Sequence, residues 1–364
     1  MKKYKICVCA ICKNEEKFVD KWVDSMSEAD EIIVLDTGST DNTVEKLLKK
    51  GVTVYQEIVS PWRFDVARNK LEELIPKDVD FCCSIDLDEL FERGWRKSLE
   101  GHLTDDIVRV AYRYTWNFNP DGSEGIVFFA DKIYRNKYFV WEHPVHETLK
   151  QTRFDKNGYI TIPEIQLNHH ADNTKSRSNY LPLLELSVKE DPTSDRNIHY
   201  LGREYYFYKQ YDNSIKTLKR HLDMPTSVWG EERSSSCRII ASCYENLKNY
   251  SNALKYYKLA IIEAPNNREP YVELAKYSFR RKKYLNCITY ILSALNIEKR
   301  NLTYISQPDC WDYSVYDLLA LSFYHIKNFD KAIIYGKVAV SLKPNDNRLI
   351  NNLNYYLSAK NGKV

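Results

Sequence analysis

The sequence has no long hydrophobic run and no excess of either charge, and both absences limit what the protein can be. No uninterrupted apolar stretch approaches the roughly 20 residues of a transmembrane helix, so we expect no membrane span. The net charge is only +3, with acidic and basic residues mixed along the chain, which gives no reason to expect nucleic acid as a partner. Apolar and charged residues, 43% and 28% of the chain, match those of soluble globular proteins.

A disulfide or zinc pattern is also missing. The nine cysteines are odd in number and lie mostly inside apolar runs, which favours buried free thiols in a reducing compartment. Cys9 and Cys12 form a C-x-x-C pair, but no second pair follows at zinc-ligand spacing, so we interpret both as packing residues at a strand end. No signal-peptide pattern follows Met1, and we therefore expect a cytoplasmic protein.

The first half of the chain alternates between strand and helix patterns. Short apolar runs at 5–11, 31–35, 52–56 and 81–85 predict strands, and the segments between them carry helical periodicity. Such alternation predicts a Rossmann-like α/β domain with a mostly parallel sheet and helices on both faces. Further alternating segments, 107–114 and 126–134, predict strands of a smaller mixed sheet.

Polar residues follow each predicted strand, and the densest group is Asp86 and Asp88 after the run Phe81–Ile85. The carboxyl ends of parallel strands meet at one edge of the sheet, where α/β proteins bind ligands. Two carboxylates there suit Mg²⁺ or Mn²⁺, although acid pairs at strand ends are often solvated loop residues. Likewise, Asp36 reads as a helix cap or a ligand contact, and Arg68 as a surface ion-pair partner or a diphosphate ligand.

Four segments of this half closely resemble the family 2 glycosyltransferases of the GT-A fold, over about residues 4–172: Cys12–Glu16, Val34–Thr43, Ala67–Asn69 and Asp86–Asp88. The resemblance implies that Glu15 and Asp36 contact the uridine of a UDP-sugar, with Ser39 of the same motif also among the nucleotide-sugar-binding residues. It further implies that Arg68 contacts the phosphates, Asp86 the ribose, and Asp88 a Mn²⁺ or Mg²⁺ ion. Many members carry two acids before the glycine, where this chain has Asp36-Thr37.

Two later clusters complete the expected site. An inverting transfer needs a base for the acceptor, and the family usually places an acidic base near the segment Trp141–Glu147. We therefore assign this role to Glu147, with His146 next; the alternative is a histidine pair tied to a neighbouring turn. By the same resemblance, His169 or His170 would be a third ligand of the metal held by Asp88. Adjacent strand residues point to opposite sides, so we expect at most one of these two histidines to reach the metal. The alternative there is a strand end near the diphosphate, or no role.

The second half reads as all-helical repeats. Small and aromatic residues recur at the spacing of the 34-residue tetratricopeptide hairpin, with an insertion around 301–312. We expect a GT-A domain over 1–172, a linker helix within 173–195 and helical repeats over 196–364. Stacked hairpins form a concave face suited to an extended peptide, and a packing or homodimerisation role is the alternative.

The combination resembles family 2 enzymes that glycosylate polypeptides, including flagellin-modifying transferases and the S-glycosyltransferases of glycosylated bacteriocins. It implies transfer of glucose or N-acetylglucosamine from a UDP-sugar, with inversion, to a Ser, Thr or Cys side chain of a peptide or protein. Two alternatives stay open: a cell-surface polysaccharide acceptor, and a non-catalytic peptide-binding scaffold.

Overall fold

The computed structural model describes residues 4–172 and 180–362, and the chain divides into two compact units, Met1–Glu190 and Asp191–Val364. The segment 173–179, which begins the expected linker, lies outside the described residues. The helix expected within that linker spans Tyr180–Glu190 and belongs to the first unit. No helix among the described residues has both the length and the apolar character that crossing a membrane requires.

The first unit is built on an eight-stranded sheet with the order β3-β2-β1-β4-β7-β6-β10-β5 and a two-stranded hairpin, β8-β9. The strands β1, β2, β3 and β4 are parallel neighbours, as the alternating pattern predicts. In chain order the strands are β1 Ile6–Cys12, β2 Glu31–Asp36, β3 Thr53–Gln56, β4 Phe81–Ser84, β5 Glu89–Phe91, β6 Ile107–Thr115, β7 Val127–Arg135, β8 Phe139–Glu142, β9 Thr148–Gln151 and β10 Gly158–His169.

Helices cover both faces of this sheet, and each face has its own apolar core. Trp22, Met26 and Trp95 pack in one core, and Ala67 and Leu71 pack in the other with the β8-β9 hairpin. All nine cysteines of the chain are buried free thiols, and Cys9 and Cys12 are packing residues of β1. The helices of this unit are α1 Val19–Met26, α2 Thr43–Lys49, α3 Phe64–Leu74, α4 Trp95–His102 and α5 Tyr180–Glu190.

The prediction of a separate, smaller sheet was wrong. Strand β7 pairs antiparallel with β4, and β6 joins β7 to β10, so the predicted strands 107–114 and 126–134 extend the main sheet. On the side away from β1, the backbone of β4 pairs directly with β7, and this antiparallel pair joins the strands on its two sides into one mixed sheet. This correction matters for the site, because it places side chains of β7 beside the end of β4.

The second unit consists of stacked antiparallel helix pairs, α6–α7, α8–α9, α10–α11 and α12–α13, followed by α14. Each pair turns through a lysine at positive φ, between 57° and 61°, namely Lys209, Lys248, Lys282 and Lys327. The helices are α6 Asp195–Phe207, α7 Tyr211–Asp223, α8 Gly230–Asn246, α9 Tyr250–Glu263, α10 Arg268–Arg280, α11 Tyr284–Leu295, α12 Tyr313–His325, α13 Phe329–Leu342 and α14 Asn347–Lys360.

The insertion between α11 and α12 lies along the first helices of the hairpins. These first helices pack on one another more closely than the second helices do, so they form the concave side of the stack. The Tyr304 hydroxyl lies 3.0 Å from Nε2 of His199 on α6, and Ser306 donates to the buried Glu269 of α10 at 3.1 Å. The chain's own segment therefore covers part of the face that was expected to bind peptide.

Candidate active site

The chain order of the strands creates a crevice at the carboxyl ends of β1 and β4. From β1 the chain proceeds to β2 and β3 on one side, and β4 then lies on the other side of β1. Cys12 pairs with Asp36 across β1 and β2, and Cys9 pairs with Ser84 across β1 and β4. This is the topological switch point at which α/β proteins bind ligands, and the predicted strand-end residues do emerge there.

The loops after β1 and β2 are tied to each other by hydrogen bonds. The backbone N–H of Asn14 donates to the Ser39 hydroxyl at 2.8 Å, and its side-chain oxygen accepts from the Thr40 N–H at 2.7 Å. The N–H of Glu15 donates to the Thr43 hydroxyl at 2.7 Å. The two motifs that follow β1 and β2 therefore support each other and together form a wall of the crevice.

Asp36 stabilises the turn that follows it. Its Oδ1 accepts the N–H groups of Gly38 and Ser39 at 3.0 Å, its Oδ2 accepts from the Ser39 hydroxyl, and the residue is fully buried. Asp36 thus braces the turn between β2 and α2 and is not the helix cap of the alternative interpretation, because α2 begins after Asn42. A contact to a nucleotide base would require Asp36 to share these bonds.

Arg68 is the centre of a buried ion-pair network. Its Nε donates to Oε1 of Glu147 at 2.6 Å, its Nη1 to Ser84 at 3.0 Å, and its Nη2 to both oxygens of Asp86 at 3.0 and 3.1 Å. The residue is only 2% exposed, and its guanidinium lies over the Trp141 ring, 5.1 Å from the centroid. Arg68 therefore positions the two acids, and it has little surface for a nucleotide phosphate.

A second cation, Lys132 of β7, faces Asp86 and the neighbouring Glu89. Its Nζ lies 3.4 Å from Oδ2 of Asp86 and 4.0 Å from Oε1 of Glu89. Burial raises the pKa of Asp86, but the charges of Arg68 and Lys132 outweigh it and hold that pKa below its usual range. Burial also lowers the pKa of Lys132, and the two carboxylates reverse this and raise it to about 12.

Glu89 supports the loop that carries the two aspartates. Its Oε2 accepts the N–H of Asp86 at 2.9 Å, and its Oε1 accepts the Tyr114 hydroxyl at 2.7 Å. Burial raises the pKa of Glu89 above its ordinary value. The residue is 4% exposed, and its bond to the Asp86 N–H fixes the start of the Asp86–Asp88 loop.

Asp88 and His169 form the pair that best fits a divalent cation. Their Oδ2 and Nε2 atoms are 3.3 Å apart, close to the roughly 3 Å between ligands about 2.0–2.2 Å from one ion. The His169 Nδ1 lies 2.7 Å from the Trp116 carbonyl oxygen and must donate to it, which leaves the Nε2 lone pair for a metal. An oxygen and an imidazole nitrogen are donors that Mn²⁺ accepts.

The members of each neighbouring candidate pair, His169 with His170 and His146 with Glu147, have different contacts in the structure. His170 points away from Asp88, and its ring stacks on Phe118 at 5.5 Å, although its backbone N–H donates to the Asp88 carbonyl at 2.7 Å. His146, at φ 53°, packs against Tyr180 of α5, whereas Glu147 turns to Arg68. Of the two candidate metal-binding histidines, His169 is the one whose ring reaches Asp88.

A group with metal-ligand geometry also lies in the second unit, where the sequence suggested none. Atoms of His199, His221 and Glu232 lie within 4.8 Å of one another, and all three residues are buried. The ring nitrogens already have hydrogen-bond partners, because the Ser236 hydroxyl lies 2.8 and 3.0 Å from the Nδ1 atoms of His199 and His221. We interpret this group as a hydrogen-bonded core network.

Comparison with known proteins assigns a family to most of the first unit. Residues 7–160 match the model of "Glycosyl transferase family 2". These residues form a family 2 glycosyltransferase domain. A curated relative, the lipopolysaccharide core biosynthesis glycosyltransferase LpsC of Rhizobium meliloti, is 34% identical over 110 residues. That match covers 28% of this chain and 40% of the relative, so the chain spans well under two thirds of the relative's length.

Solved structures with similarity to part of this chain include the following two. The C-terminal part of a TPR repeat-containing protein from Cytophaga hutchinsonii is 15% identical, with a TM-score of 0.42, over 51% of this chain and 67% of that one. MamA is 16% identical, with a TM-score of 0.38, over 46% of this chain and 88% of that one.

Sequence reasoning missed Lys132 and the support that Trp116 gives to His169. Lys132 belongs to no motif, and its place became visible only through the antiparallel pairing of β7 with β4. Trp116 acts through its backbone carbonyl, which no side-chain pattern reports. Glu89 directly follows the Asp86–Asp88 motif in the chain, but its role depends on Tyr114, which is distant in sequence.

Proposed function

We propose that the family 2 glycosyltransferase domain transfers a hexose, glucose or N-acetylglucosamine, from a UDP-sugar with inversion at the sugar. The observation that carries the proposal is the acidic group Asp86, Asp88 and Glu89 with His169 at the β1/β4 switch point. In such a site the carboxylates can bind a divalent cation, and the cation together with the basic side chains can bind a nucleotide diphosphate. Glu15, Asp36 and Ser39 line the nucleotide side in this proposal.

Each remaining residue has a separate task in the proposed mechanism. Asp88 Oδ2 and His169 Nε2 would hold a Mn²⁺ or Mg²⁺ ion, which as a Lewis acid offsets charge on the departing diphosphate when bound. Arg68 holds Asp86 for the ribose and Glu147 for the acceptor. Oε1 of Glu147 accepts from Arg68, and its Oε2 makes no hydrogen bond within the described residues. We assign to that oxygen the removal of the acceptor's proton.

For the acceptor we propose a Ser, Thr or Cys side chain of a peptide or protein, because the second unit is a helical-repeat stack of the kind that binds polypeptide. The insertion at Tyr304 and Ser306 covers the first helices, so we place peptide binding on parts of the stack that the insertion leaves exposed. A saccharide acceptor is the second candidate, and the name of the LpsC relative favours it.

The test is nucleotide release from a panel of nucleotide sugars, with Mn²⁺ or EDTA, in the presence of peptide or lipopolysaccharide-core oligosaccharide. We expect Mn²⁺-dependent UDP release from one donor, stimulated by peptide. Stimulation by the oligosaccharide alone would select the second acceptor. Absence of both release and UDP binding would refute the transferase and favour a non-catalytic scaffold.

The first variant to compare is Asp88→Ala, which should reduce release by about 100-fold or more, a loss typical of removing one electrostatic stabiliser. Its side chain is partly exposed at the strand end, so the fold should persist. Asp78→Ala is the matched control, because Asp78 precedes β4 and lies at the opposite edge of the sheet. Full activity in Asp88→Ala would exclude this residue as a metal ligand.

A further inference from the structure

Two cations border the proposed donor site, and only one of them is accessible. Arg68 is 2% exposed, and each of its three nitrogens donates to Glu147, Ser84 or Asp86. The side chain of Lys132 is 29% exposed, and that of Asp86 beside it is 32% exposed. A ligand entering the crevice therefore meets the ammonium of Lys132 before it meets the guanidinium of Arg68.

The contacts of Lys132 are also long. Charge-assisted N–H···O bonds typically measure about 2.7–2.9 Å, whereas its Nζ is 3.4 Å from Asp86 and 4.0 Å from Glu89. In contrast, Arg68 reaches Glu147 at 2.6 Å. The ammonium of Lys132 is thus held near the acids without a short bond to either, and an incoming anion can take it as a partner without breaking one.

The sheet topology fixes this position. The register Phe81↔Arg135, Cys82↔Tyr134, Cys83↔Ile133 places Lys132 beside Ser84, where β4 ends and the Asp86–Asp88 loop begins. Because β7 runs antiparallel to β4, a residue near its middle reaches the edge where the parallel strands end. Lys132 therefore stands at the ligand side of the switch point, on a strand and not on a mobile loop.

Charge balance indicates which group of the donor Lys132 meets. The site holds more carboxylates than cations, and a divalent cation on Asp88 and His169 offsets that excess. The two negative charges of a nucleotide-sugar diphosphate then require additional positive charge, and a lysine is a common point-charge partner of phosphate. A neutral nucleoside or hexose does not require this additional positive charge.

We propose that the Lys132 ammonium binds a phosphate oxygen of the donor's diphosphate, beside Asp86. This inference rests on the proposed function and adds to it a phosphate-binding residue outside the four motifs that resemble the family. Lys132 then works together with the cation at Asp88, so that the diphosphate is bound from two directions and its departure is stabilised by both.

The experiment compares Lys132→Gln, Lys132→Arg and wild type by calorimetric titration with UDP, GDP, CDP, ADP and dTDP, each beside its nucleoside. We expect Lys132→Gln to weaken the diphosphate that binds the wild type by about tenfold or more, the order of one charge-assisted contact. Affinity for the nucleoside should stay within about twofold, and Lys132→Arg should recover most of the loss. The loss should persist in EDTA, because the contact is to lysine and not to the metal.

Several outcomes separate this role from its competitors. An equal loss of nucleoside and diphosphate affinity, together with a lower melting temperature, would make Lys132 a structural partner of Asp86 and would overturn the proposal. Unchanged diphosphate affinity would overturn it as well. If wild type binds none of the nucleotides, the proposed function itself fails and the role of Lys132 falls with it. Lys49→Gln, on the exposed end of α2, is the control for removing a lysine charge from the same unit.

Discussion

At the scale of single residues, the site is a set of shared side chains and not a row of independent contacts. Arg68 orients Glu147 and Asp86 together, and the Trp116 carbonyl fixes which nitrogen His169 offers. An observed effect of any one substitution therefore includes the displacement of its partners. Conservative variants that keep a hydrogen bond and change only charge or basicity are the informative ones.

Glu147→Gln is such a variant, and we expect it to lower transfer by about 100-fold or more, the usual range for loss of a general base. The amide oxygen can still accept from Arg68 Nε, so Asp86 should stay in place and UDP affinity should change little. The measurements are kcat with a saturating acceptor and a calorimetric UDP titration.

His146→Gln is the comparison for that experiment, because His146 is the neighbouring candidate base and packs against Tyr180. If His146→Gln loses the larger share of kcat while Glu147→Gln stays within about threefold of wild type, the base assignment moves to His146. A loss of UDP affinity in Glu147→Gln would instead show that the carboxylate acts through Arg68.

At the scale of elements, the loops after β1 and β2 depend on backbone conformations that few residues adopt. Asn14 has φ 56°, a left-handed conformation, and its side chain accepts from the Thr40 N–H. Asparagine and aspartate tolerate this conformation better than other non-glycine residues. The asparagine in the first motif therefore has a structural reason as well as a place beside the ligand crevice.

We expect Asn14→Ala to destabilise the first unit by about 2 kcal/mol, from left-handed strain of about 1 kcal/mol and one lost hydrogen bond of similar size. Asn14→Gly loses only the hydrogen bond and should cost about half as much, while Asn14→Asp, which keeps an acceptor, should stay near wild type. Urea unfolding followed by tryptophan fluorescence, in a Trp229→Phe/Trp311→Phe background that leaves tryptophan only in the first unit, measures these differences. Equal damage from alanine and glycine would rule out the positive φ as the constraint.

At the scale of the whole molecule, the sequence predicted the parallel part of the first sheet and the helix pairs of the second half. Strand–helix alternation led to the parallel strands β1 to β4, and the helical hairpin pattern led to the stacked pairs of the second unit. Both rest on local periodicity, which a single chain displays directly. The placement of β7 in the main sheet and the contact of Tyr304 with His199 depend on pairings between distant segments, so the sequence did not reveal them.

The same distinction explains the roles inside the site. The convergence of Asp36, Asp86 and Asp88 followed from strand order, whereas the burial of Arg68 and the approach of Lys132 required three-dimensional packing. His199 and His221 appeared in the sequence as isolated residues, yet they meet through Ser236 on a third helix. Long-range polar networks of this kind carry no spacing that could be recognised in one sequence.

That network makes the second unit sensitive to acid. Burial, the nearby charges of Arg203, Arg196 and Arg238, and His221 lower the pKa of His199 well below its ordinary value, so it is neutral when folded. In the unfolded chain its pKa is about 6.5. Below that pH His199 is protonated in the unfolded state but stays neutral in the folded state. The free energy of unfolding therefore falls as pH falls, by up to about 1.4 kcal/mol per pH unit. Above pH 6.5 this contribution is constant.

His199→Gln removes this titration while keeping one donor and one acceptor for Ser236 and Tyr304. We therefore expect the melting temperature of the full chain to drop less between pH 7.5 and pH 5.5 in this variant than in wild type, although the variant is less stable at pH 7.5. His102→Gln, which changes an exposed histidine of the first unit, should retain the wild-type difference. Equal pH sensitivity of wild type and His199→Gln would mean that His199 is protonated in the folded unit as readily as in the unfolded chain, so that burial and the nearby arginines do not keep it neutral.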